Sequence, residues 1–251
     1  MKPKTGVSSV RVFRNADELA RKAAQEVSLI ARHAVRRQGI CTLALSGGST
    51  PRRFWVTLSR PPFVKKFPWK TTHFFWGDER WVKPRHSRSN YRVFADSVLN
   101  TVRIPDQNIH PVDTELKNPS DAARRYEERI DSHFRRRGQK KPRFDLILLG
   151  LGEDGHVASL FPGTDALREN RRFVRVGSPK GKRDPRITLT LPVINNAACV
   201  IFLVTGSEKK DILRRVLEKK RPRNPLPAQM VNPSDGSLFW FVDREAASLL
   251  K

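Results

Sequence analysis

Four short apolar runs, at residues 40–45, 71–76, 144–149 and 199–205, each stop at a polar turn that carries glycine. The turns read Ser46-Gly47-Gly48-Ser49-Thr50-Pro51, Gly77-Asp78-Glu79-Arg80, Gly150-Leu151-Gly152-Glu153-Asp154-Gly155-His156 and Gly206-Ser207-Glu208-Lys209. A strand that is apolar at nearly every position, instead of at alternate ones, is buried on both faces, which marks a parallel sheet covered by helices on either side. The chain supplies such helices. Asn15 followed by Glu18 has the form of an N-cap with an acid three residues on, apolar residues keep helical spacing from Leu19 to Ala34, and Gly39 stops the run. Further helices are predicted at 90–99, 120–136 and 208–217, the last capped by Ser207, and one after each of the turns at 46–51 and 150–156. Residues 10–13, 186–191 and 238–242 add strands, the last of them ahead of a terminal helix. The expectation is an α/β chain: a mainly parallel, Rossmann-like, doubly wound sheet with helices on both faces, formed as one domain over residues 1–251.

In such a sheet ligands bind at the carboxyl ends of the strands, so the four turns are expected on one rim. Ser46, Gly47, Gly48, Ser49 and Thr50 have the form of a phosphate cradle, because glycines admit an anion to the backbone and a helix start presents free N–H groups; a tight structural turn accounts for the same residues. The turn lacks the lysine of a nucleotide P-loop and the three spaced glycines of a dinucleotide fingerprint, so neither cofactor is expected. Asp78 and Arg80 sit one residue apart and in an extended segment point the same way, to grip a polar ligand or to pair with each other. Asp154 and His156 repeat that spacing inside a glycine-rich turn. A carboxylate orients an imidazole and raises its basicity, and neutral histidine is the side chain best matched to general-base work near pH 7.

The other histidines, His33, His73, His86, His110 and His133, show no spacing typical of metal ligands, and no metal is expected. Cys41 and Cys199 lie inside strand-like runs and read as small buried hydrophobes. No run approaches the roughly 20 apolar residues of a membrane span, and the basic start at Met1-Lys2-Pro3-Lys4-Thr5-Gly6 leads into no apolar signal segment, so a cytoplasmic location is expected. The formal charge of +24 suits nucleic acid, an anionic surface or an anionic small substrate. Basic pairs and triplets from Arg36-Arg37 to Lys219-Lys220-Arg221 are spread over nearly every segment, and no nucleic-acid-binding motif accompanies them. Nonspecific contact with polyanions is the expected consequence, with no specific nucleic-acid partner.

Five segments in this order carry a resemblance: residues 45–51, Trp76-Gly77-Asp78-Glu79-Arg80-Trp81-Val82, Ser89-Asn90-Tyr91, residues 149–163 and Thr205-Gly206-Ser207-Glu208-Lys209-Lys210. Together they resemble the 6-phosphogluconolactonase family over nearly the whole chain. The resemblance implies a cofactor-free hydrolase that opens 6-phospho-D-glucono-1,5-lactone to 6-phosphogluconate, the second step of the oxidative pentose phosphate pathway. It further implies that His156, oriented by Asp154 or Asp78, activates water, that Arg80 and backbone N–H groups stabilise the oxyanion, and that residues 46–50, Arg186 and Lys209 hold the phosphate. Two alternatives stay open. Glucosamine-6-phosphate deaminase/isomerases share the glycine turn and the Asp-Gly-His segment but continue toward Asn-Glu-Pro, where this chain reads Ala158-Ser159-Leu160-Phe161-Pro162. A non-catalytic homologue that binds polyanions is the other.

Overall fold

The computed structural model describes residues 8–179, 181, 184–218 and 223–251; the segment 1–6 and the basic run Lys219-Lys220-Arg221 lie outside them. Ten strands are present among the described residues: β1 (Ser8–Phe13), β2 (Cys41–Leu45), β3 (Thr72–Trp76), β4 (Asp78–Arg80), β5 (Ile109–His110), β6 (Leu146–Leu149), β7 (Val174–Gly177), β8 (Arg186–Leu189), β9 (Cys199–Val204) and β10 (Ser237–Asp243). Seven form one sheet in the order β1-β10-β9-β6-β2-β3-β5, parallel throughout. The other three form a small antiparallel sheet, β4-β8-β7.

Every residue of β2, β6 and β9 is buried, which is why these segments read as continuous apolar runs. Helix α1 (Ala16–Gln38) begins where Asn15 accepts the Glu18 N–H while the Glu18 carboxylate accepts the Arg14 N–H, and it ends at Gly39 with φ of 84°. Helices α2 (Ser49–Leu58), α3 (Asn90–Phe94) and α4 (Pro119–Arg135) follow. Adjacent residues of β3 show that helices cover both faces, since successive side chains of a strand point opposite ways. Phe74 meets Trp55 of α2 and Phe94 of α3, whereas Phe75 meets Phe134 of α4 and Phe144. The predicted doubly wound sheet is therefore the one observed.

Several local expectations are corrected. Helix α2 is capped by Gly48, at φ 106°, and starts at Ser49 instead of at Pro51 with a Thr50 cap. No helix follows directly on the turn at 150–156: Gly152 N–H bonds to the His156 carbonyl, Gly155 N–H bonds back to Gly152, and Gly155 and Ala158 take positive φ, which breaks helical continuation until Asp165–Arg168. Residues 207–209 form a 3-10 turn before the helix Lys210–Leu217, so Ser207 is not its cap. Residues 244–249 form turns, not a helix, because the Asp243 carboxylate takes the Ala246 N–H and closes the chain locally. Residues 78–80, read as a loop, are strand β4, and 186–191 stops at Leu189 because Thr190 opens a turn with Pro192 in its first positions. Both cysteines are buried as expected; burial raises the Cys41 thiol, with Asp145 adding to the effect, and pushes Cys199 up to about 12. Among the described residues no helix is long and apolar enough to cross a membrane.

Candidate active site

The order of the large sheet reverses at β2. The chain moves from β2 to β3 on one side, and from β6 to β9 to β10 on the other, so the crevice lies between the ends of β2 and β6. Those ends carry Ser46 and Gly150, and a methyl group on Gly150 would lie 3.9 Å from Ser46 Oγ. Side-chain contacts then link three of the predicted turns, and β8 connects the fourth. Thr50 Oγ1 and Thr205 Oγ1 are 2.6 Å apart, joining the β2 turn to the β9 turn. Lys209 Nζ reaches Glu153 at 3.4 Å, joining the β9 turn to the β6 turn. The ring of His156 lies 4.5 Å from that of Phe161, and the Arg186 guanidinium stands 5.3 Å over the same Phe161 ring. Arg186 is the direct β-partner of Arg80. The structure thus brings Ser46, Gly47, Gly48, Ser49, Thr50, Arg80, Asp154, His156, Arg186 and Lys209 to one rim.

The imidazole is fixed from one side. Asp154 Oδ1 lies 2.5 Å from His156 Nδ1 and also accepts the His156 backbone N–H at 3.0 Å. Nδ1 facing a carboxylate carries the hydrogen, which leaves the lone pair on Nε2, a nitrogen without a hydrogen bond to the described residues. Partial burial pushes the Asp154 carboxyl up, but the backbone N–H, the charge and the ring hydrogen bond of His156 outweigh it and leave Asp154 below the ordinary carboxylate range. Gly152 makes the turn possible in a second way: a methyl there would stand 2.0 Å from His156 Nδ1.

Asp78 is placed differently from the rest. It is buried, its Oδ2 accepts the Ser159 hydroxyl at 2.6 Å, and its Oδ1 accepts Asn90 Nδ2 at 3.1 Å. Of the two carboxylates that the resemblance offered for orienting His156, Asp154 makes the contact, and Asp78 bonds to Ser159 and Asn90 instead. Asp78 and Arg80 do not form an ion pair; Arg80 donates to the Arg88 carbonyl at 2.8 Å and its buried Nε has no partner among the described residues.

Three residues in the quoted segments have a part that sequence reasoning did not give them. The buried Glu79 carboxylate accepts the backbone N–H groups of Arg80, Asn90 and Tyr91 at 2.7–2.8 Å and the Ser89 hydroxyl at 3.2 Å, so it locks the Asp-Glu-Arg strand to the Ser-Asn-Tyr helix start. Burial raises its pKa, with Asp78 adding to the rise, against the three backbone donors that lower it. Asn90 also lies against the β2 turn: a methyl on Gly47 would meet its Oδ1 at 1.7 Å. Ser159 is fully buried on Asp78. The only hint in sequence was that the polar residues Glu79, Asn90 and Ser159 stood next to runs that had to be core.

A second grouping lies away from this rim. His73, His110 and His133 come from β3, β5 and α4, and one ring nitrogen of each lies within 4.8 Å of the others. Spacing along the chain did not reveal it, because the three are 37 and 23 residues apart and meet only through the sheet and α4. Burial, followed by the influence of the neighbouring histidines, lowers His110 to about 3 and His133 to about 4; burial and then Arg137 lower His73.

Known proteins resemble this chain in sequence and fold. The 6-phosphogluconolactonase of Synechocystis sp. is 39% identical over 242 residues, covering 96% of this chain and 98% of its own. That of Nostoc sp. is 40% identical over 217 residues, covering 86% and 88%. The solved 6-phosphogluconolactonase from Trypanosoma brucei has a TM-score of 0.83 and 30% identity, with 98% of this chain and all of that one covered. A monomeric glucosamine-6-phosphate deaminase shares the fold at a TM-score of 0.78 and 20% identity, over 96% of this chain and 99% of that one. The profile described as glucosamine-6-phosphate isomerases/6-phosphogluconolactonase matches residues 14–240, and the chain belongs to that family.

Proposed function

We propose that this protein hydrolyses 6-phospho-D-glucono-1,5-lactone to 6-phospho-D-gluconate, the second step of the oxidative pentose phosphate pathway, in the cytoplasm and without a cofactor. The observation that carries the reading is the Asp154–His156 pair at 2.5 Å, which leaves Nε2 of His156 as the free base. In the proposed reaction Nε2 takes a proton from water as its oxygen adds to the lactone carbonyl. The tetrahedral intermediate then collapses, the ring C–O bond breaks, and the imidazolium returns the proton to the departing ring oxygen. Asp154 holds the ring and stabilises its charged form. Arg80, whose buried Nε has no partner among the described residues, and backbone N–H groups of the glycine turn stabilise the oxyanion. The first turn of α2 with Ser46, Gly47, Gly48, Ser49 and Thr50, together with Arg186 and Lys209, takes the phosphate. Asp78 acts as a positioning residue through Ser159 and Asn90.

Two features support hydrolysis over deamination: residues 158–162 contain no carboxylate, and Phe161 lies against the imidazole. One apolar core that includes β2, β6, β9 and the Ile187–Leu189 face of the small sheet supports reading residues 1–251 as one domain. The dispersed charge supports nonspecific contact with polyanions alongside catalysis. The test is lactone hydrolysis, read against the spontaneous rate, beside ammonia release from glucosamine 6-phosphate. His156→Ala is expected to lower lactone turnover by about a hundredfold or more. Near-normal turnover in that variant removes the general base. Ammonia release without lactone hydrolysis selects the deaminase, and salt-sensitive nucleic-acid binding with neither activity selects the polyanion binder.

A further inference from the structure

We propose that His73, His110 and His133 form a binding site for one divalent transition-metal ion of the zinc, cobalt or nickel class, completed by an anionic fourth ligand from solution. The site is separate from the rim. Helix α4 runs away from it: the Tyr126 hydroxyl donates to the Trp76 carbonyl and accepts the Trp76 N–H at the end of β3, whereas His133 lies seven residues on, about 10 Å along the helix, against His73.

The donor geometry is close to that of a metal centre. His73 Nδ1 and His110 Nε2 share a hydrogen bond at 3.0 Å, which a metal ion would replace by taking the lone pair of each, and one nitrogen from each of the three rings lies within 4.8 Å of the others. Ligands at the usual metal–nitrogen distance of about 2.0–2.1 Å in a tetrahedron stand about 3.3 Å from one another, so a modest turn of the His133 ring completes the set. His133 Nε2 is buried and has no hydrogen-bond partner among the described residues, and a metal ion would satisfy it. Neighbouring rings hold the three in place, with Phe75 stacked on His110 at 4.2 Å and Phe134 edge-on to His133 at 5.3 Å. Three neutral imidazoles without a carboxylate favour borderline metals over calcium or magnesium.

The cluster opens into a cavity of about 570 Å³. Its wall carries Arg125, Arg129, Arg136 and Arg137 against the single carboxylate of Glu128. That excess of positive charge opposes a bare dication and suits a metal carrying an anion, such as hydroxide or phosphate, in the open position.

Tag-free protein, stripped with a chelator, is to be titrated with cobalt(II) in phosphate buffer. The expected result is one ion per chain with the strong visible absorption of four-coordinate cobalt, displaced by zinc. His133→Gln should lose the band and bind cobalt at least tenfold more weakly while retaining lactone hydrolysis, and His156→Ala should keep the band. Absence of the band in the unaltered protein, its survival in His133→Gln, or its loss in His156→Ala overturns the proposal. If His133→Gln fails to fold, imidazole proton resonances of the unaltered protein decide: cobalt must shift those of His73, His110 and His133, and shifts confined to His33, His86 or His156 overturn the assignment.

Discussion

Replacing Gly152 with alanine isolates the placement of one imidazole from the rest of the fold. The new methyl would stand 2.0 Å from His156 Nδ1, 2.2 Å from Cε1 and 2.7 Å from Cγ. Ordinary carbon contacts begin near about 3.5 Å, so the ring must retreat by more than about 1 Å, far enough to break its 2.5 Å contact with Asp154. A displacement of about 1 Å at a reacting group costs on the order of a hundredfold in rate, which corresponds to about 2.7 kcal/mol of transition-state stabilisation. Stability should change little, by about 0.5 kcal/mol, because Gly152 does not have positive φ and the His156 and Asp154 side chains are partly exposed. The assay is initial-rate lactone hydrolysis with a urea melt on the same preparation. Combined with His156→Ala, the substitution should add almost nothing, since the group it displaces is gone. A Gly152→Ala enzyme within threefold of normal turnover, or one whose loss multiplies fully with that of His156→Ala, refutes the account.

Asp78→Asn removes an acceptor from Ser159 and places an amide against Asn90, so it should lower stability by about 1–3 kcal/mol and Tm by several degrees, measured by thermal melting. A variant that melts normally yet is inactive would instead put Asp78 in direct contact with the chemistry. Arg186→Gln should raise KM for the lactone by about tenfold to a hundredfold with a smaller change in kcat, and an unchanged KM would separate Arg186 from the phosphate. His110 and His133 stay neutral in the folded chain down to about 3 and about 4, whereas in the unfolded chain they take up protons near 6.5. Unfolding therefore binds protons between those limits, and the stability of chelator-treated protein should be full above pH 6.5 and fall as the pH is lowered. The slope is at most about 1.4 kcal/mol per pH unit for each ring, reduced by solvent in the open cavity. Urea midpoints that stay flat from pH 6.5 to 4.5 would show that the rings are not held neutral.

The large sheet was legible because burial on both faces leaves an unmistakable imprint: β2, β6 and β9 contain almost nothing but apolar residues. The small sheet was not. β4 has three residues and β7 is half exposed through Arg175 and Val176, so neither has a pattern long enough to show a period. The rim residues could be named because glycine turns after buried strands announce themselves, and because loops on such turns keep their polar side chains near one another. What holds the rim could not be read. Glu79 works through the Ser89 hydroxyl and the backbone N–H groups of Asn90 and Tyr91, 10–12 residues away, a partnership that no local spacing encodes, and the histidine cluster depends on how α4 crosses β3 and β5. The turn at 150–156 looked like a helix start but closes on itself, since Gly155 and Ala158 both take left-handed backbone conformations that only the folded loop requires.

The hydroxyl pair between Thr50 and Thr205 spans 155 positions of the chain, and the Lys209–Glu153 contact spans 56. Closing such distances is the slow part of folding for any polymer, because the entropy of the intervening loop must be lost before the contact gives anything back. A partly folded intermediate that has only the β2–β3 half of the sheet would lack His156 and Lys209, and also the β8 and Ser159 partners of Asp78 and Arg80. Catalysis would then return during refolding only with the last cooperative step, which makes turnover a stricter reporter of the native state than helix content or compactness.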